Sequence, residues 1–231
     1  AALKTLNCSY NPSITIDISK NLALEDLICC GNHFSTLDLQ NNISLLSLNC
    51  SSNDLRELDL SKNIALEEVS CYRNELSELD LSNNSALKWV VCYGNRLSNL
   101  NFNNNPDLEV LYCWDNKLIE LDFSNNPALK NLWCENNELS ELDLSNNPAL
   151  KVLHCGNNKL TELDLSNQTH LKKLELQNND ALTTLICPSA EMMKLNLESL
   201  PLLTNLTLPP QKTSPLTNEE VKEDDEENYN I

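Results

Sequence analysis

The chain has 231 residues, a net charge of −18 and a sequence pI near 4.4. This charge argues against binding to nucleic acid or to an anionic membrane surface, because both attract basic proteins. The sequence has no apolar run long enough to span a bilayer and none typical of a signal peptide, so we expect no membrane insertion.

A 21-residue repeat organises the chain from its first residues. Leu or Val lies two residues before each cysteine of the repeat, and Asn lies three residues after it. Leu176 and Leu197 continue the same spacing. A fixed period of this length is typical of a solenoid. The repeating cysteines are Cys8, Cys29, Cys50, Cys71, Cys92, Cys113, Cys134 and Cys155.

Each repeat contains two similar halves. One half reads LxxLxCxxN, as in residues 150–158, and the other reads LxxLxLxxN, as in residues 139–147. The halves alternate at steps of 10 and 11 residues, and the order of the steps changes near Asp180. We predict a right-handed solenoid of about ten 21-residue coils over residues 1–208, with short strands in a parallel β-sheet and little or no α-helix.

The two ends of the chain lead to separate expectations. Ala1 begins inside the repeat pattern with no capping element before it, so we expect a trimmed fragment whose targeting signal lies outside it. Pro209 and Pro210 end the pattern. Residues 209–231 are rich in acidic side chains, and we predict a disordered tail there.

The repeating cysteines are predicted to be structural. They occupy one inward position per coil, where their side chains point the same way, so we expect buried free thiols rather than disulfides. No CxxC pairs or matching histidines occur, and we predict no metal site. Cys30 falls in the outward register, and Cys187 lies in a less regular region.

The pattern LxxLxCxxNxLxxLDLSxNPxL resembles the cysteine-ladder leucine-rich repeat of internalin J. It also resembles the nested 21-residue (IRREKO-type) repeats of bacterial surface proteins. The resemblance covers residues 3 to about 179 closely. It implies a secreted or cell-surface bacterial protein, and internalin-type members act as adhesins.

The outward positions of the cysteine-containing half gather most of the aromatic side chains. Residues alternate between the two sides of a strand, so the residues beside each inward Leu and Cys face out. Strands about 4.8 Å apart would join these side chains into one exposed patch. A large exposed apolar patch has a use in most soluble proteins. The predicted ligand-binding residues are Tyr72, Trp89, Val91, Tyr93, Tyr112, Trp114, Trp133 and His154.

The LDLS half carries an outward column of aspartates, such as Asp80, Asp122 and Asp143. We predict a second strand in this half, with Asp side chains that accept hydrogen bonds from nearby Ser or backbone groups; calcium binding is the alternative. The two asparagine columns are predicted to satisfy backbone groups in the bends.

Three functions fit these patterns. The first is extracellular recognition or adhesion, in which a monomer binds a protein partner through the Trp/Tyr strip. The second is carbohydrate binding, because exposed aromatic rings stack on sugars. The third is a structural spacer that holds other domains of a larger surface protein away from the cell. The aromatic patch itself also has two structural interpretations: a ladder that stiffens the sheet, or a surface covered by a neighbouring domain. The sequence has no catalytic motif, so we expect neither an enzyme nor a cofactor.

Overall fold

The computed structural model describes residues 2–12, 14–188 and 200–208. This part of the chain has no helix and contains twelve strands of three residues each. The strands are β1 (Thr5–Asn7), β2 (Asp26–Ile28), β3 (Ser47–Asn49), β4 (Glu68–Ser70), β5 (Trp89–Val91), β6 (Val110–Tyr112), β7 (Asn131–Trp133), β8 (Val152–His154), β9 (Glu162–Asp164), β10 (Lys173–Glu175), β11 (Thr184–Ile186) and β12 (Asn205–Thr207).

Nine of these strands form the main sheet, in the order β1-β2-β3-β4-β5-β6-β7-β8-β10. All neighbours are parallel, and each residue pairs with the residue 21 positions away, as Leu27 does with Leu48. The molecule is therefore a parallel β-solenoid, as predicted, with about nine coils instead of ten. The coil expected at Leu197 and the predicted acidic tail lie outside the described residues.

The second half of the repeat differs from its prediction. Within the described residues, the LDLS segments before β9 are not strands. Only β9, from the last LDLS segment, is paired, in a three-stranded sheet of order β12-β11-β9. Thr184 pairs with Glu162, 22 residues earlier, which confirms the change of step near Asp180.

Leucine and cysteine side chains fill the interior. All ten cysteines are free and at most 9% exposed, and all except Cys30 belong to the hydrophobic core. Burial raises the pKa of the ladder thiols, that of Cys155 to about 12. Cys30, predicted to face outward, is only 8% exposed, and its Sγ lies 3.1 Å from the Ser9 Oγ of the preceding coil. Cys187 is buried directly after β11.

The asparagine columns hold the bends together, as predicted. Asn53 Nδ2 donates to the carbonyl oxygens of Cys29 (3.0 Å) and Cys50 (2.9 Å), and its Oδ1 accepts from the Phe34 N–H (3.0 Å). In the opposite column, Asn84 Nδ2 donates to the carbonyl oxygens of Leu60 (3.1 Å) and Asn63 (2.9 Å). Each coil is thereby joined to the one before it at both bends.

Candidate functional site

The predicted aromatic residues lie together on the outer face of the main sheet. They belong to β5–β8 or follow β4–β6 by two residues. Register pairs Val91 with Tyr112, Tyr112 with Trp133, and Trp133 with His154. Val110 joins the group beside Trp89. We call this surface the aromatic strip: Tyr72, Trp89, Val91, Tyr93, Val110, Tyr112, Trp114, Trp133 and His154.

The rings of the aromatic strip form one continuous row. Tyr93 stacks on Tyr72 (centroids 4.5 Å apart, planes at 7°) and on Trp114 (3.8 Å, 8°). Trp133 lies 5.4 Å from Trp114 and stacks on His154 (4.4 Å, 9°). Tyr112 packs beside the row, 4.8 Å from Trp133 and 6.1 Å from Trp89. The 21-residue register thus places ring against ring across five coils.

The strip is less exposed than predicted. Val91, Tyr93, Tyr112 and His154 are only 3–7% exposed, so the expectation that every member faces open solvent was wrong for these four. Strands about 4.8 Å apart bring flat rings into face-to-face contact, and each ring then covers its neighbour. The exposed part of the strip comes from side chains that are only partly buried: Tyr72, Trp89, Trp114 and Trp133.

Charged groups lie along the strip. The Arg73 guanidinium lies 6.0 Å from the centroid of the Tyr93 ring, and Lys173 Nζ lies 6.0 Å from that of Trp133. Burial raises the pKa values of the Tyr93 and Tyr112 hydroxyl groups. The tyrosines therefore stay neutral hydrogen-bonding groups, and the cations provide charge at the edge of an apolar surface.

An acidic cluster that was not predicted lies at the His154 end. His154 Nδ1 is 3.1 Å from Glu135 Oε1 and 3.5 Å from Glu175 Oε2. Glu175 is 21 residues after His154 and therefore lies beside it in the next coil, and Glu135 comes from the coil before. The outward positions of these residues could be read from the repeat, but the meeting of their polar atoms depends on side-chain rotamers.

The aspartate column on the other side forms the predicted turn interactions. Oδ1 of Asp80 accepts the Ser82 N–H at 2.9 Å, and that of Asp122 accepts the Ser124 N–H at the same distance. Hydrogen bonds from these serines hold the pKa of each carboxyl below its ordinary value of 3.8. These contacts are the hydrogen bonds to nearby serine groups that were predicted for the aspartates.

No protein-family model and no curated protein matches this chain. Solved structures do: the functional domain of InlJ (internalin J) from Listeria monocytogenes, which includes a cysteine ladder, matches with a TM-score of 0.68 and 27% identity. The chain is a leucine-rich repeat solenoid. The match covers 89% of this chain and 53% of the internalin J chain.

Other leucine-rich repeat structures are similar at lower identity, which bears on the fold alone. An internalin (inlF) from Listeria monocytogenes has a TM-score of 0.68 and 22% identity, over 84% of this chain and 65% of its own. The ectodomain of the Arabidopsis thaliana receptor kinase GASSHO1/SCHENGEN3, solved in complex with Casparian strip integrity factor 2, has a TM-score of 0.69 and 20% identity, over 89% and 32%. The leucine-rich repeat chain thus spans about half to two-thirds of the internalins that it matches.

Described residues contain no helix that is long and apolar enough to cross a membrane.

Proposed function

We propose that this solenoid is a non-catalytic recognition module that acts outside a bacterial cell and binds a protein partner through the aromatic strip. The observation that carries the proposal is the group of four partly buried rings, Tyr72, Trp89, Trp114 and Trp133, that pack against an apolar centre on one sheet. Trp and Tyr are enriched among the residues that dominate binding energy at protein interfaces. The likeness to internalin J supports an extracellular location.

The ring geometry favours a protein partner over a glycan. Sugars stack on the flat faces of aromatic rings, but in this row the faces of Tyr93 lie against Tyr72 and Trp114, and one face of Trp133 lies against His154. The row therefore presents mainly ring edges. Edges with adjacent Arg73 and Lys173 suit a partner that offers apolar side chains together with carboxylates.

A structural role for the strip is the second candidate, and the burial of Val91, Tyr93 and Tyr112 favours it. In that case the rings only stabilise the sheet through cross-strand pairs. The two functions differ in what the partly buried tryptophans contribute. A ladder needs them for stability, whereas a binding surface also needs them for affinity.

The test is a binding screen of the purified chain against an array of extracellular proteins and an array of glycans. A Trp89→Ala/Trp114→Ala/Trp133→Ala variant should lose at least about 100-fold in affinity for a protein found in the screen, because interface anchors each contribute about 2 kcal/mol or more. Glycans should not be retained by either form.

The matched control is Asp80→Asn/Asp122→Asn/Asp143→Asn on the opposite side. Asn101 already fills this column and accepts the Asn103 N–H at 2.9 Å, so the control should keep the fold and the affinity. Circular dichroism of both variants separates loss of binding from loss of structure. An affinity that survives in a folded tryptophan variant, or retention of a glycan alone, contradicts the proposal.

A further inference from the structure

The acidic cluster at the end of the aromatic strip has the composition of a metal site. It combines one imidazole nitrogen with two carboxylate oxygens, and the three ligand atoms lie within 4.8 Å of one another. Two of the three side chains, those of Glu135 and His154, are largely buried, with exposures of 17% and 5%. The strands β8 and β10 hold His154 and Glu175 in register, so the backbone fixes the positions from which these side chains converge.

The distances fit a tetrahedral ion. Metal–ligand bonds of about 2.0–2.1 Å place the ligand atoms of a tetrahedral site about 3.3–3.4 Å apart. The measured separations from His154 Nδ1 are 3.1 Å to Glu135 Oε1 and 3.5 Å to Glu175 Oε2, on either side of that value. Bringing the two carboxylates onto one ion needs only side-chain movement, and Glu175 is 40% exposed and has room for it.

An unsatisfied polar atom is a second, independent sign of a ligand. Glu135 Oε2 is buried and has no hydrogen-bond partner. Buried polar groups are paired in most native proteins, since an unpaired one loses its hydration with no compensation. A cation between the carboxylates and the imidazole would compensate the burial of Glu135, and either of its oxygens could coordinate.

From these observations we propose that Glu135, His154 and Glu175 bind one Zn²⁺ ion. An imidazole with two carboxylates suits zinc better than Ca²⁺ or Mg²⁺, which prefer ligand sets made entirely of oxygen. Three protein ligands leave the fourth position open toward solvent beside Glu175, where water or a side chain of a partner can coordinate. The proposal departs from the expectation, drawn from the absence of CxxC pairs, that the chain has no metal site.

Lys173 gives the site a charge that can be tested. Its Nζ lies 3.1 Å from Glu175 Oε1, so one oxygen of Glu175 pairs with the lysine and the other is directed to His154. A cation this close repels a second one. Lys173→Gln should therefore tighten zinc binding, whereas loss of a carboxylate ligand should weaken it.

The experiment titrates Zn²⁺ alone into chelator-treated full chain, with isothermal calorimetry and a competing chromophoric chelator. We expect one ion per chain, and at least about a tenfold loss of affinity in Glu175→Gln and in Glu135→Gln. The matched control is Glu138→Gln, which removes an exposed carboxylate paired with Lys159 and should leave affinity unchanged. Co²⁺ should give the visible absorption of a tetrahedral site and quench Trp133, which stacks on His154.

Three results would overturn the proposal. Absence of saturable binding by the wild type would leave His154 as an imidazole paired with two carboxylates. Equal binding by wild type, Glu135→Gln and Glu175→Gln would assign the zinc to other groups of the chain, which these variants retain. Weaker binding in Lys173→Gln would place the ion elsewhere. None of these measurements uses a protein partner. The zinc proposal can therefore be wrong while the proposed function is right, and the proposed function can be wrong while the zinc proposal is right.

Discussion

The two long sides of this solenoid are stabilised by different kinds of hydrogen bond. On the main sheet, backbone pairing joins each coil to the next, and the outward side chains take no part in it. One outward column of the sheet contains, in successive coils, Glu68, Trp89, Val110, Asn131 and Val152. On the opposite side, each turn depends on a side chain, because the Asp carboxylate accepts a backbone N–H two residues later.

This difference explains where the sequence varies along the molecule. A side chain that holds the same turn in each coil repeats as Asp or, once, as Asn101. A side chain with no such task can change from coil to coil without loss of the strand. The aromatic strip and the acidic cluster both lie on the main sheet, where the backbone leaves the outward positions free for function.

The largest expected effect on stability comes from substitutions in the two asparagine columns. Asn95 makes four hydrogen bonds to backbone groups: Nδ2 donates to the Cys92, Cys71 and Tyr93 carbonyls, and Oδ1 accepts the Leu76 N–H. Asn84 makes two, and its Oδ1 has no partner. Each buried group left unpaired costs about 1–3 kcal/mol. We expect Asn95→Ala to lower the free energy of unfolding by about 3 kcal/mol or more, and by about 1 kcal/mol more than Asn84→Ala.

Urea unfolding followed by circular dichroism measures both variants. The slope with denaturant serves as the control, because a change in slope would show that the coils no longer unfold together. A larger loss for Asn84→Ala would mean that the bend beside the LDLS segments carries more of the stability than the bend beside the main sheet.

The sequence was sufficient to predict the solenoid and the residues that form the aromatic strip. The 21-residue period places Cys29 and Leu27 inside and Tyr112 beside Trp133, because register follows directly from the repeat. It was not sufficient for the LDLS half, whose leucines and aspartates alternate as in a strand. There the Asp side chains accept hydrogen bonds within the turn, and among the described LDLS segments only β9 pairs with another strand.

The exposure of the aromatic side chains and the contacts of the acidic cluster could not be predicted, for a physical reason. Both depend on side-chain rotamers, which the repeat does not determine. Whether Tyr93 faces water depends on how Tyr72 and Trp114 stack on it. Glu135 and Glu175 were visible as outward acids, but their approach to His154 is decided by the rotation of long side chains.

A smaller effect on stability is expected from the stacked rings on the outer face of the main sheet. Tyr93 and Trp114 stack at 3.8 Å with planes 8° apart, so their contributions to stability should be coupled. A double-mutant cycle with Tyr93→Ala and Trp114→Ala should give a coupling of about 0.5–1.5 kcal/mol. Tyr72→Ala with Trp133→Ala is the control, since three coils separate them by about 14 Å and their effects should add. Coupling as large in the control pair would indicate that the whole strip unfolds as one unit.

The smallest expected effect concerns the aspartates of the opposite face. Hydrogen bonds from the turn hold the folded-state pKa values of Asp59, Asp80 and Asp122 below 3.8, so the folded protein binds protons less readily there than the unfolded chain. Their contribution to stability is therefore complete above pH 3.8 and is lost as the pH falls through the lowered values. The melting temperature should fall over this acidic range, by a modest amount because the carboxylates are exposed. Asp80→Asn/Asp122→Asn should flatten the fall and leave the melting temperature at neutral pH nearly unchanged, since Asn101 makes the same bond without a charge. An equally steep fall in the double variant would assign the acid sensitivity to other carboxylates, such as Glu67 and Glu109, which pair with lysines beside the main sheet.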